Sequence, residues 1–378
     1  MMASLERNED LLRADPHSGL GTLAEQTGGF LIANTNDLRG GFERIDTDMR
    51  NYYMLTYVPA NDRFDGKFRE IAVKVRRPGV TVHARKGYFA VRTTSGVPVL
   101  THEAQAISAL ELVPVPNAFQ MRVGAFRFPD AARPGLAPVV VQLPTAGITF
   151  QPSADKKTYY SDFTVLVRFK DKDKQIVQKM SQRYELRGPI EQIDRAKGGE
   201  VIFYREAELP PGGYAMETVV HDALSNKASV RLGTFDQAPV NVDALRVSSL
   251  LLVRRSERVS ETERTPDGPL YVGNTVLYPN LGDPLVKGTD KELGFYFVVY
   301  PGQGGGPAPA ASLELLQNGQ SLAKVPLQLA APAADGRIQQ VSRIPIEALP
   351  PGSYELRVAV QQGGQPEVRS ATFRVTAS

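Results

Sequence analysis

Leu209-Pro210-Pro211-Gly212-Gly213-Tyr214 returns 140 residues later as Leu349-Pro350-Pro351-Gly352-Ser353-Tyr354. Each copy is followed by two runs in which apolar and polar residues alternate, 215–221 with 228–235 and 355–360 with 367–375. Alternation with period two marks strands that bury one face, and a Pro-Gly loop between such runs marks a hairpin entry. One supersecondary unit therefore occurs twice. Outward from the first copy, 163–169, the polar turn Lys170-Asp171-Lys172-Asp173-Lys174 and 175–186 make another hairpin. Outward from the second, 250–253, 270–277, 293–300, 313–316 with its Asn318-Gly319 turn, and 339–344 supply further strands. Spacing of this kind predicts two immunoglobulin- or fibronectin-like β-sandwiches, 97–238 and 239–378, with each repeat tyrosine packed inward and a joint near Pro239. The Gly- and Pro-rich stretch 301–310 is expected as a surface loop.

The whole chain has 378 residues, enough for two or three domains. Its 44 Lys and Arg against 41 Asp and Glu leave +3, a balance that identifies no nucleic-acid or membrane binder from bulk charge. With no cysteine, disulfides, thiol nucleophiles and thiolate metal sites are excluded. No apolar run approaches the length of a membrane span, and Met1-Met2-Ala3-Ser4-Leu5-Glu6-Arg7 lacks the basic-then-apolar order of an export signal.

Residues 1–93 read differently from the rest. A short helix from Ser18 to the Gly28-Gly29 stop leads into Phe30-Leu31-Ile32-Ala33, a buried strand by its pattern. Asn36 or Asp37 caps a second helix on which Leu38, Phe42, Ile45 and Met49 share a face, and Tyr53-Met54-Leu55-Thr56-Tyr57-Val58 follows as another strand. Strand, helix, strand predicts a parallel pair within an α/β sheet. A hairpin then turns at Pro78-Gly79, with Ile71, Val73 and Val75 alternating against Val80, Val82 and Ala84; its apolar face requires a cover, which the helices of this segment are expected to give. The fold class expected overall is mixed and mainly β.

Leu23-Ala24-Glu25-Gln26-Thr27-Gly28-Gly29-Phe30, Asn34-Thr35-Asn36-Asp37-Leu38, Tyr52-Tyr53-Met54-Leu55-Thr56-Tyr57-Val58-Pro59 and Arg85-Lys86-Gly87-Tyr88-Phe89-Ala90 together resemble the C-terminal end of a von Willebrand factor A domain. More narrowly they are similar to the bacterial VWFA-related family known best from acidobacteria. The resemblance implies a truncated α/β end, an exported setting in the periplasm or at the cell surface, and Mg²⁺-dependent ligand binding in an intact A domain. The family's Asp-x-Ser-x-Ser metal turn does not occur in this sequence, so no cofactor is expected here and the metal-bearing part of the domain is expected to lie outside the chain.

Few residues carry chemistry. Gly19-Leu20-Gly21-Thr22-Leu23-Ala24 fits a dinucleotide-loop pattern, but no strand precedes it, so it reads as a glycine-loosened helix start. His17, His83, His102 and His221 show no ligand spacing, and no G-x-S-x-G elbow or phosphate loop is present. Arg254, Arg255, Arg258 and Arg264 among Glu257, Glu261 and Glu263 read as a mixed-charge edge, and the 170–174 turn as a plain hairpin turn. The sharpest feature is the basic hairpin. Lys67, Arg69, Lys74, Arg76, Arg77, Arg85, Lys86 and Arg92 face only Glu70 within 26 residues. The first seven form a candidate patch for an acidic surface or polymer, weighed against a solvated face that blocks strand aggregation; sparse aromatics argue against nucleic acid. The expected function is a non-enzymatic adhesion or protein-interaction protein with an unidentified protein partner. A carbohydrate-binding or accessory module of a secreted enzyme is the alternative. Tyr159, Tyr160, Tyr296 and Tyr300 are its candidate sugar platforms, and the absence of Trp counts against it.

Overall fold

The computed structural model describes residues 24, 27–32, 37–50, 53–61, 63–91, 97, 99–260, 268–303 and 306–377. The Ser18 helix start, the Gly19–Ala24 loop apart from Ala24, His17, Arg92, Glu261, Glu263 and Arg264 lie outside them. The chain divides into two compact units, 1–108 and 109–378.

In the first unit Asp37 accepts the Arg39 N–H at 2.9 Å and opens α1 (Arg39–Arg50). The helix forms where its period places it, yet it buries nothing: Leu38, Phe42 and Met49 are exposed. The expected parallel pair is not there among the described residues. Residues 30–32 and 53–59 carry no ladder, and Tyr53 is 87% and Val58 92% exposed. A parallel pair persists only with both faces covered, and a helix that buries no side chain covers neither.

The hairpin forms only at its base. β1 (Phe68–Glu70) pairs with β2 (Gly87–Phe89), Phe68 opposite Phe89 with rings 5.1 Å apart, and the Ile71 N–H donates to the Lys86 carbonyl. Val73, Val75, Val80 and Val82 stay exposed, so the cover expected for this face is not supplied. A bare two-stranded ribbon is marginal in water, and the ladder extends only as far as its support. That support is α2 (Ala104–Ala109), from which the Gln105 side-chain amide donates to the Gly66 carbonyl at 2.7 Å.

The second unit is four stacked antiparallel sheets with one parallel addition. Its first sandwich comprises β3 (Arg122–Ala125), β4 (Leu136–Pro144), β5 (Gln151–Pro152), β6 (Thr158–Lys170), β7 (Ile176–Pro189), the short helix α3 (Ile193–Lys197), β8 (Glu200–Glu208), β9 (Gly212–Asp222) and β10 (Lys227–Gln237). β3-β4-β8 make one sheet; β10-β9-β6-β5, with β7 on the other edge of β6, make the second. The second sandwich comprises β11 (Arg246–Val247), β12 (Leu251–Arg258), β13 (Tyr271–Val272), β14 (Thr275–Pro279), β15 (Leu285–Val286), β16 (Glu292–Tyr300), β17 (Ala310–Gln317), β18 (Gln320–Leu327), β19 (Ile338–Pro345), β20 (Gly352–Gln361) and β21 (Glu367–Thr376). Its sheets are β11-β16-β12-β14-β13, with β19 on β16, and β15-β21-β20-β17-β18, where β15 joins β21 in parallel.

The repeat seen in the sequence is structural. The Tyr214 hydroxyl donates to the Pro210 carbonyl at 2.6 Å and the Tyr354 hydroxyl to the Pro350 carbonyl at 2.7 Å. Both rings are buried, and each lies opposite a phenylalanine across its hairpin, Tyr214 against Phe235 and Tyr354 against Phe373. Each pair anchors its own core, one built around Phe163, Val167, Phe169 and Phe203, the other around Phe295, Phe297, Leu356 and Val358.

A third core joins the sandwiches. Along β4, Ala137, Val139, Val141 and Leu143 face the first core while Leu136 and Val140 face away from it. Along β16, Leu293, Phe295, Phe297 and Val299 face the second core while Tyr296, Val298 and Tyr300 face away. These outward sets meet each other, with Phe128, Leu251, Leu270 and Leu277 completing a cluster of nine buried side chains. The inner sheets of the two sandwiches therefore pack face to face. Burial of a large apolar side chain contributes roughly 1.5–3 kcal/mol and an exposed ion pair at most about 1, so the seam is held by its apolar filling and only registered by its charges.

Candidate functional site

The seven candidate cations divide by role. Lys67 precedes β1 and Lys86 precedes β2, so both flank the docked base of the hairpin; Lys74 and Arg85 lie on the unladdered arms, and Arg76 and Arg77 run into the Pro78-Gly79 turn. Six of the seven are exposed. Arg69 is not. Its guanidinium donates to the Arg63 carbonyl at 2.5 Å and lies 3.4 Å from the Asp65 carboxylate, which commits it to holding the loop before β1. The Asp65 carboxyl is held below its usual range by the Lys67 backbone N–H, with the Arg69 and Lys67 charges acting in the same direction. Arg69 therefore shapes the patch, and the other six present it.

At the base, Gly66 donates to the Ala90 carbonyl at 2.8 Å and Ala90 donates back to the Lys67 carbonyl at 3.0 Å. Gly66 has φ +68°, and a Cβ on it would overlap the Ser108 hydroxyl, so this junction requires glycine. Farther out, His83 Nε2 lies 3.7 Å from an Asp48 carboxylate oxygen on α1. The arrangement is a tethered finger rich in positive charge.

The mixed-charge edge at 254–258 lies in β12 and does more than meet solvent. The Arg254 guanidinium reaches Glu200 of β8 at 2.8 Å and Asp283 at 3.4 Å, bridging the sandwiches. Arg122 meets Asp283 at 2.8 Å, Arg246 donates to the Pro129 carbonyl at 2.7 Å, and Arg127 and Ser249 exchange two hydrogen bonds of 2.8 Å across the seam. Arg255 turns to the opposite side, its guanidinium 3.9 Å above the Tyr278 ring and 3.2 Å from Glu257. Burial, with Glu257 nearby, pushes the Tyr278 phenol up to about 12.

The tyrosines that would stack on sugars do not form a platform. Tyr159, Tyr296 and Tyr300 are buried, and Tyr160 is half-buried and bonded to Gln151. Tyr296 and Tyr300 fill the seam, where burial pushes both phenols up, Tyr296 to about 12. Aromatic residues in a β-rich sequence signal exposed platforms or core equally, and here packing takes them.

No family model and no curated protein matches the chain. Solved structures do, at a distance. Fibronectin(III)-like modules of Clostridium thermocellum CbhA are 9% identical with a TM-score of 0.17, covering 68% of this chain and 94% of theirs. The C-terminal domain of the Streptococcus agalactiae AgI/II polypeptide BspA is 11% identical with a TM-score of 0.19, covering 68% of this chain and 98% of its own. The β-sandwich assignment accordingly rests on the sheets, registers and cores described above.

Proposed function

We propose that the chain is a non-enzymatic, exported interaction protein: two immunoglobulin-like sandwiches fused into one stiff body, together with a basic hairpin that engages an acidic protein or polymer surface. The supporting observation is the third core. A seam of nine buried side chains turns two small domains into a single inflexible one, which suits a spacer or stalk. In this reading residues 1–92 are the end of a von Willebrand factor A domain, on the strength of the motifs quoted from that stretch, and the chain itself holds no resident Mg²⁺; saturable Mg²⁺ binding in a calorimetric titration would contradict that last point.

Immobilised polyglutamate tests the hairpin. The chain is expected to bind it, with affinity falling steeply as salt rises, because exposed charges are screened beyond about 8 Å at physiological ionic strength. Replacing Arg76→Glu and Arg77→Glu together is expected to weaken binding about tenfold, or about 1.4 kcal/mol. Binding that ignores both salt and charge reversal overturns the assignment of this patch.

A further inference from the structure

The sheet that carries β12 and β16 is forked. β12 pairs with β16 only from Leu251 to Val253, opposite Tyr296 to Gly294. At Val253 a bulge shifts the register of β12 against β14, and from Arg255 to Arg258 β12 pairs with β14 alone among the described residues. β16 meanwhile keeps its other neighbour, β19, as far as Glu292 opposite Pro345. At the fork lies an open groove of about 440 Å³, which runs from β12, with Arg254 and Ser256, past Lys291 and Glu292 at the start of β16 to Arg343 on β19. Its closed end is the Val253–Gly294 pair, where glycine leaves room: a Cβ on Gly294 would stand 3.2 Å from the Val253 Cβ.

We infer that this fork is a strand-accepting site, which takes an extended peptide segment of a partner protein carrying an acidic side chain. Beyond Val253 the β16-facing edge of β12, Arg255 to Arg258, and the β12-facing edge of β16 at Glu292 and Leu293 carry no ladder among the described residues. An unpaired strand edge offers backbone donors and acceptors to an added strand. Charge selects the segment. Arg254 is occupied by Glu200 and Asp283, and Arg255 by Glu257 and the Tyr278 ring. Lys291 has no ion-pair partner among the described residues, and Arg343 meets only Glu292, at 3.4 Å, with both side chains more than half exposed. An exposed pair of that kind contributes little and exchanges readily for an incoming carboxylate. Glu292 and Glu347 in the same lining disfavour a segment that is acidic at every position, so the match is a strand with isolated acids between apolar residues. The site is separate from the basic hairpin and does not depend on it.

A fluorescein-labelled octapeptide of alternating Glu and Val is the probe, read by anisotropy on the full chain. It is expected to bind saturably, and to protect 254–258 and 291–294 from amide hydrogen exchange. Methylating its alternate backbone nitrogens, or replacing its Glu by Lys, is expected to weaken it about tenfold, because strand addition uses main-chain bonds and charge in concert. In a background carrying Arg76→Glu and Arg77→Glu, which removes the hairpin as a rival site for the acidic probe, Lys291→Glu with Arg343→Glu, both on exposed side chains that leave the cores intact, is expected to weaken binding about tenfold. The protection of 254–258 and 291–294 by the peptide is expected to persist in that background until those two changes are added. Absent binding, indifference to backbone methylation, survival of binding when the Lys291 and Arg343 changes are added to the hairpin background, or loss of protection at 254–258 and 291–294 in that background alone each overturns the proposal.

Discussion

The phenol of Tyr354 closes the loop that leads into the last hairpin by donating to Pro350, and Tyr214 does the same at Pro210. Removing either hydroxyl as Tyr→Phe keeps the ring in its core and deletes one hydrogen bond, so each is expected to cost about 1 kcal/mol in urea denaturation. The two sites share no partners, and the double variant is expected to lose the sum; a markedly larger loss would mean that the corners communicate through the seam. Asp222 is a second decisive residue. It is fully buried, and although burial raises its pKa, hydrogen bonds from Thr149 and Ser225 outweigh that and hold it below its usual value. A depressed carboxyl contributes stability that is present above its unfolded pKa of about 3.9 and lost as pH falls through the folded value. Acid unfolding of Asp222→Asn is therefore expected to be flatter below pH about 4 than that of the parent, from a lower plateau at neutral pH. Parallel acid curves for the two proteins would refute it.

Elements form where their surroundings let them. The run at 53–58 has strand composition throughout, yet a strand is a property of a pair, and no described neighbour pairs with it. The converse case is β4. Leu136-Ala137-Pro138-Val139-Val140-Val141-Gln142-Leu143-Pro144 shows no alternation and contains two prolines, so its sequence gives no sign of a strand; it is one because both of its faces are buried, which erases the polar half of the period. The hairpins at 158–189, 212–237 and 352–376 were legible because apolar and polar residues alternate along most of their length and polar turns separate the arms, even on β6, where the second face is buried and Arg168 is paired with Glu217. Of the candidate patch, charge was legible and the internal use of Arg69 was not, since the Arg63 carbonyl that takes it is invisible to any side-chain pattern. At this scale Gly66→Ala is the informative change. With φ +68° and the Ser108 hydroxyl in the way, it is expected to unseat the hairpin base at a cost of about 1 kcal/mol or more, seen as faster amide exchange across 67–90 with the sandwiches unaffected.

Across the whole second unit, the seam decides how the molecule unfolds. Val140 is fully buried between the inner sheets, and Val140→Asp places an unpaired carboxylate among Leu136, Leu251 and Tyr296. The parent is expected to melt in a single transition because the cores share strands, and the variant in two, with a new protease cut near the 238–245 connection. A single unshifted transition would show that the seam is passive. The same strands also carry a consequence for ancestry. β4 and β16 each serve two masters, one face lining their own half and the other gripping the neighbour, so neither half is fit for water by itself. If the Pro-Pro-Gly-x-Tyr copies go back to a duplication, the halves are no longer interchangeable parts: a recombination event that dealt out one alone is expected to deliver a sticky, insoluble fragment rather than a spare part.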